Sequence, residues 1–187
     1  PKNHDNLFKY HKDVEKYLVI FEPPHVHPIS WDRTLHENFK KVFTWNDSLV
    51  DNKKYFKFYL PNEIPESVEV GLEDKIGFCT MIAGHKFVSH PLELYSERER
   101  AIRWFERNHP GDFDLYGVGW DRYYFAGALS ILNNRYLDVM RRILGRNYPS
   151  YKGTVKSKKE VLQKYKFSIC YENIRDIPGY ITEKIFD

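Results

Sequence analysis

The stretch YENIRDIPGYITEKIFD, Tyr171 to Asp187, places Asn173, Tyr180, Glu183 and Lys184 within a dozen residues. A carboxamide, a phenol, a carboxylate and an ammonium group at this spacing can enclose a phosphorylated sugar. The pattern predicts a strand ending at Asn173, a turn through Pro178-Gly179, and a helix capped by Thr182 and opened by Glu183. Free amides and the positive dipole end of a helix favour an anion, yet Lys184 sets a full positive charge in that first turn, where the dipole alone would prefer a carboxylate. A phosphate explains the extra cation. Glu183 can then accept from sugar hydroxyls while Tyr180 and Asn173 close over the ligand. A solvated helix start with a surface Lys–Glu pair is the competing reading.

Upstream, the strand Lys16–Phe21 (KYLVIF) delivers Glu22 to a loop that Pro23 and Pro24 stiffen and bar from further ladder pairing. His25 and His27 follow, but a pair of imidazoles without a third ligand is a weak case for a metal. Asp112-Phe113-Asp114 spells an aspartate pair that elsewhere holds a metal-bound nucleotide, and Gly117 and Gly119 fall short of a dinucleotide fingerprint. The expected metal set is empty.

The elements that must position these groups follow from the pattern. Leu35 and Phe39 suggest a short helix within WDRTLHENFKKVFTWNDS, and YFKFYLP alternates as an edge-like strand stopped by Pro61. Residues 62–74 read as a connector. Beyond them an apolar run (Ile76–Ala83), a helix (Ser96–Asn108) and a short strand (Phe113–Tyr116) give a β-α-β alternation. Leu129, Leu132, Tyr136, Val139, Met140 and Ile143 recur at helical spacing and predict a core-packed helix over Ala128–Leu144. A lysine-rich stretch with a short helix (Lys158–Lys164) precedes the strand KFSICYEN.

YKFSICYENIRDIPGYITEKIFD resembles the signature of the α1,3/4-fucosyltransferases, glycosyltransferase family 10, with Tyr171 where the family pattern has phenylalanine. The resemblance implies that Asn173, Tyr180, Glu183 and Lys184 bind GDP-fucose, Lys184 near the pyrophosphate. SERERAIRWFE and FDLYG are similar to the family's arginine helix and the short strand after it, on which Asp114 falls. This makes Arg98 the implied diphosphate-binding residue, with Arg100 as the competing register; the planar fork of an arginine holds two phosphate oxygens at once. VIFEPPHVHP is similar to the family's strand and Glu-Pro loop, which makes Glu22 the implied general base. The family's Ser-Asn pair is replaced by Gly84-His85, and Trp120–Tyr151 has no counterpart.

The resemblance further implies an α/β fold of GT-B type, two Rossmann-like halves, of which residues 1–73 would be the end of the acceptor lobe and 74–187 the first part of the donor lobe. The implied reaction is inverting transfer of L-fucose from GDP-fucose to a glycan hydroxyl, N-acetylglucosamine being the expected acceptor. No tightly bound cofactor and no metal are expected. A non-catalytic nucleotide-sugar or glycan-binding fragment is the alternative.

Bulk properties set the outer limits. The chain is 42% hydrophobic and 17% aromatic, which suits a packed core and clefts for ring-shaped ligands. A net charge of +3 from 29 basic and 26 acidic residues does not promise nucleic-acid binding. Cys79 and Cys170 sit in apolar runs and imply no disulfide framework. No apolar run has the length of a membrane span, so membrane association is expected only through segments outside this sequence. The chain opens without Met and stops within a motif, which reads as a piece of a longer protein. A bacterial parent would be cytoplasmic or membrane-peripheral, and a eukaryotic one would face the Golgi lumen.

Overall fold

The computed structural model describes residues 14–59, 66, 71–125, 127–145 and 148–185. It is mixed α/β, with two parallel three-stranded sheets. The chain forms two compact units: Pro1–Glu63 with Asp176–Glu183, and Ile64–Arg175 with Lys184–Asp187. The first unit therefore stops short of the expected limit at residue 73 and takes in a second, later segment.

In the first unit β1 (Tyr17–Ile20), β2 (Lys41–Thr44) and β3 (Tyr55–Lys57) lie side by side in that order, all parallel. Parallel neighbours require a crossover. Between β1 and β2 it contains a 3-10 turn (Pro28–Trp31) and the short helix α1 (Arg33–His36), whose first turn is capped by Asp32 through Thr34 N at 2.9 Å. The strand β2 corrects the sequence reading, in which KVFT falls within a helical pattern ending near Asn46-Asp47-Ser48. Alternation explains it: Val42 and Thr44 are buried, and Lys41 and Phe43 only partly so. Before β3 the Asp51 carboxylate accepts from the amides of Lys53, Lys54 and Tyr55, which lowers its pKa. The interior holds Ile20, Pro23, Val42 and Trp45 together with His36. His36 Nε2 donates to Ser30 O at 2.8 Å, so Nδ1 is left to accept from the Tyr55 hydroxyl at 3.1 Å.

The second unit is built on β4 (Gly77–Ile82), α2 (Tyr95–Asn108), β5 (Phe113–Tyr116) and β6 (Tyr165–Ser168), with sheet order β5-β4-β6. Helix α2 has Ile102 fully buried against Cys79, Met81, Phe113 and Leu115, with Phe105 stacked on Phe113 at 4.7 Å. Burial of a side chain like Ile102 contributes roughly 2–3 kcal/mol. The outer edge of β5 is not left open. Leu115 N donates to Ser150 O and Lys152 N to Leu115 O, so Ser150–Lys152 completes that edge. Gly117, at φ +133°, has no alternative residue, because a Cβ there would collide with Ala83 O.

Tyr148 closes the core beneath α2. Its hydroxyl donates to Glu99 at 2.9 Å, and the Arg103 guanidinium lies 3.7 Å from its ring centroid. Burial, followed by the Glu99 charge, pushes the phenol up to about 12. The raised value favours the neutral phenol in the folded state, so the contribution is complete below the ordinary tyrosine value of about 10 and is lost as pH climbs through the folded value. Urea unfolding should show stability falling across that window in the parent and a flatter profile in Tyr148→Phe. Parallel profiles would refute the assignment.

Three further expectations are corrected. The helix over Ala128–Leu144 is instead a 3-10 stretch (Gly127–Leu132), a 3-10 turn (Arg135–Leu137) and the six-residue helix α3 (Asp138–Ile143). Asn134 Oδ1 accepts from the amides of Tyr136 and Leu137, and Asn133 binds both the N–H and the C=O of Phe125. Such side-chain bonds compete with a continuous helix. The strand KFSICYEN ends at Ser168, and helix α4 spans Lys158–Leu162, capped by Ser157. At Glu183 the expected helix is, among the described residues, a single 3-10 turn, Glu183–Ile185.

Candidate functional site

In the second unit β4 is flanked by β5 on one side and β6 on the other. The connection from β4 passes through α2 to β5, and the chain then returns across β4 to reach β6. This is a topological switch point, and open α/β sheets bind ligands in the crevice beyond the C-terminal strand ends there.

Arg98 occupies that place. It lies in the first turn of α2, four residues before Ile102 and on the same face, so both side chains turn inward. Its Nη1 donates to Gly84 O (3.3 Å), just past β4, and its Nη2 to Tyr171 O (3.2 Å), just past β6. The side chain is buried, and Nε has no hydrogen-bond partner among the described residues. Removal from water pushes the guanidinium below its ordinary pKa, opposed by Tyr95, whose ring centroid lies 5.2 Å away, and by Cys170, Glu172 and Glu93. A buried charge is costly to leave partly compensated, and an anion placed at the unpaired Nε would complete it. Arg100, the competing register, points outward and pairs with Glu97.

The amides at the start of α2 are already engaged, those of Tyr95 and Ser96 both donating to Glu93. Positive charge at the crevice therefore comes from side chains. Lys184 supplies a second one: Nζ lies 3.2 Å from Glu172 Oε2. Glu172 thus neighbours both candidate cations, a role the sequence alone does not reveal. Asn173, the next residue, accepts from Leu94 N through its carbonyl at 3.2 Å, which ties the strand exit to the start of α2. The expected contribution of a long-helix dipole at Glu183 is replaced by that of Lys184 itself, since one 3-10 turn carries little dipole.

The first unit holds Glu22 and Tyr180. Glu22 is exposed at the end of β1, and the backbone around it is braced. Trp45 Nε1 donates to Phe21 O at 2.9 Å, Trp31 Nε1 to Glu22 O at 2.8 Å, and Val26 N and His27 N both donate to Pro23 O. Tyr180 packs on the same Trp45 indole, with ring centroids 4.6 Å apart. Gly179 makes this approach possible: it sits at φ +82°, and a Cβ there would collide with Trp45 O. The structure thus brings Glu22 and Tyr180 to one aromatic cluster. Trp31 and Trp45 are not legible as site residues in the sequence, because Trp45 follows a strand whose local pattern imitates the end of a helix. Glu183 is exposed.

The aspartate pair lies elsewhere. Asp112 and Asp114 line a cavity of about 290 Å³ at the N-terminal ends of the strands, with Lys75, Tyr165 and Lys166. Asp114 Oδ2 accepts from the Tyr165 hydroxyl at 2.6 Å, and Oδ1 faces Lys152 Nζ at 3.3 Å, so both oxygens are engaged. His27 Nδ1 is 2.6 Å from Ser30 Oγ. Among the described residues no cluster of three His, Cys, Asp or Glu has metal-binding geometry. Comparison with protein-family models, with curated proteins and with solved structures returns no match to this chain.

Proposed function

We propose that this chain is part of an inverting glycosyltransferase of GT-B type that moves L-fucose from GDP-fucose to a glycan hydroxyl. The observation that carries the reading is the Arg98 guanidinium, buried beyond the ends of β4 and β6, held by neutral carbonyls and with Nε unpartnered among the described residues. A diphosphate would add an anion beside Nε to the charges of Glu172 and Glu93. The motif Tyr-Glu-Asn with Tyr-Ile-Thr-Glu-Lys, in which Lys184 stands beside Glu172, adds the resemblance to family 10.

On this reading Glu22 takes the proton of the acceptor hydroxyl as its oxygen bonds to the anomeric carbon of fucose. The bond from that carbon to the β-phosphate oxygen breaks, and the electron pair leaves with GDP. Arg98 and Lys184 hold the charge that develops on the leaving diphosphate. Glu183 and Asn173 accept from and donate to sugar hydroxyls, and Tyr180 covers the ligand from its seat on Trp45.

Lys184→Ala in the full-length protein is expected to weaken GDP about 10- to 100-fold, the range for losing one charge-assisted contact to phosphate. Isothermal titration with GDP measures it. Unchanged affinity would remove Lys184 from the site.

A further inference from the structure

Helix α3 turns its charged side inward. Asp138 and Arg141, three residues apart, share one helix face, and Arg141 is only 4% exposed. Its Nε donates to Tyr123 O at 2.9 Å, and the guanidinium lies 4.6 Å from the Tyr124 ring centroid. The outer fork is barely engaged. Nη1 stands 3.5 Å from Asp138 Oδ1, and Nη2 is buried with no hydrogen-bond partner among the described residues. Asp138 is also half used: Oδ1 accepts from Arg122 Nη1 at 2.6 Å, whereas Oδ2 faces Arg142 Nε at 3.5 Å. Buried polar atoms are ordinarily hydrogen-bonded, so an orphaned guanidinium nitrogen calls for a ligand.

The ligand's chemistry follows from the pair. An anion is the first candidate for an unpartnered guanidinium, but the Asp138 carboxylate 3.5 Å from Nη1 repels one. A planar edge that accepts at one point and donates at the next satisfies both groups. Guanine has that edge: O6 and N7 accept from an arginine fork, and N1–H with the 2-amino group donates to a carboxylate. Adenine sets an amino donor where O6 stands and so matches neither group. A base also needs a ring to lie on, and Phe87, 57% exposed, lies 6.2 Å from the Tyr124 ring. Nη2 sits beneath the surface, and a base edge reaches it when a covering side chain turns, a rotamer change common on binding.

The placement agrees with the phosphate site. Arg98 Nη1 bonds Gly84 O, the His85 ring that follows lies 5.3 Å from that of Tyr124, and Tyr124 in turn lies against Arg141. A short aromatic path past the C-terminal ends of β4 and β5 thus joins the two arginines.

We propose that Asp138 and Arg141 read a guanine base, with Phe87 and Tyr124 as its stacking surface. The inference rests on the reading of the second unit as a GDP site, to which it adds the selection of the base. The family resemblance assigns these residues nothing, because Trp120–Tyr151 has no counterpart in it.

The test is isothermal titration of the full-length protein with GDP, inosine diphosphate, adenosine diphosphate and pyrophosphate. The parent should bind GDP about 10- to 100-fold more tightly than adenosine diphosphate, the range for one bidentate base contact. Inosine diphosphate, which lacks the 2-amino group, should fall between them. Arg141→Lys keeps the charge but loses the fork, and it should bring GDP down towards adenosine diphosphate. Asp138→Asn should shift preference towards xanthosine diphosphate, whose carbonyl stands where guanine has its amino group. Pyrophosphate has no base and reads the phosphate contacts separately. Equal binding of GDP and adenosine diphosphate by the parent, or an unchanged base preference in a folded variant, overturns the base site alone. So does loss of pyrophosphate together with GDP in folded Arg141→Lys, which would place Arg141 on the phosphates. A parent that binds neither GDP nor pyrophosphate would take the transferase reading down as well.

Discussion

Arg98→Met is expected to abolish GDP binding while leaving the fold as stable as before, or more so. Burial of the guanidinium is offset by bonds to two carbonyls, at 3.3 and 3.2 Å, by the Tyr95 ring 5.2 Å away and by the charges of Glu172 and Glu93, while its Nε goes unpaired among the described residues. Replacing a poorly compensated buried charge with an apolar side chain of similar length is neutral or stabilising by about 1–4 kcal/mol. Arginine remains protonated at all working pH values despite its lowered pKa, so the cost persists across the physiological range. Affinity should move the other way. Loss of a desolvated bidentate cation from a diphosphate costs about 2–5 kcal/mol, which is roughly 30-fold to several thousandfold. Calorimetric melting and GDP titration on the same samples separate the two effects. Reduced stability with intact GDP affinity would make Arg98 a structural strut and defeat the site.

Glu22→Gln should bind GDP-fucose as the parent does and lose transfer by about 10²- to 10⁴-fold, the contribution typical of a general base. The substitution is nearly isosteric, and the backbone beneath it is held from elsewhere: Trp45 bonds the preceding carbonyl and Trp31 that of residue 22. The amide therefore occupies the position of the carboxylate but takes up no proton. Donor titration combined with single-turnover transfer in the full-length enzyme measures both quantities. Retained turnover would dismiss Glu22 as the base, whereas lost donor binding would give it a role in holding the nucleotide-sugar.

Much of the second unit is legible in the sequence. GFCTMI stands out as an apolar run, and the α2 segment and FDLY show a period matching their structure; Ile102 at i+4 from Arg98 sets that arginine on the inward face. The stretch containing β2 is harder, since Leu35 and Phe39 four apart imitate a helix. What makes KVFT a strand is pairing with β1 and β3, and such tertiary context overrides local propensity. In residues 127–144 the helical period is real, but it does not say which face meets the core, and the turn chemistry of Asn133 and Asn134 interrupts it. The candidate residues themselves stand out by type and motif. Their supports, Trp31, Trp45 and Glu172, do not, because each acts through contacts between segments with no local pattern.

The first unit is assembled from two stretches separated by more than a hundred residues, with Asp176–Glu183 contributing Gly179 and Tyr180 to the packing around Trp45. During synthesis, then, the amino-terminal sheet emerges early but waits for its closing piece until Asp176–Glu183 has been made. Large sequence separation of this kind slows folding through loop-closure entropy. An early translational stop after Arg175 would leave the Trp45 indole without its aromatic cover. Such truncated chains should be the ones that chaperones retain.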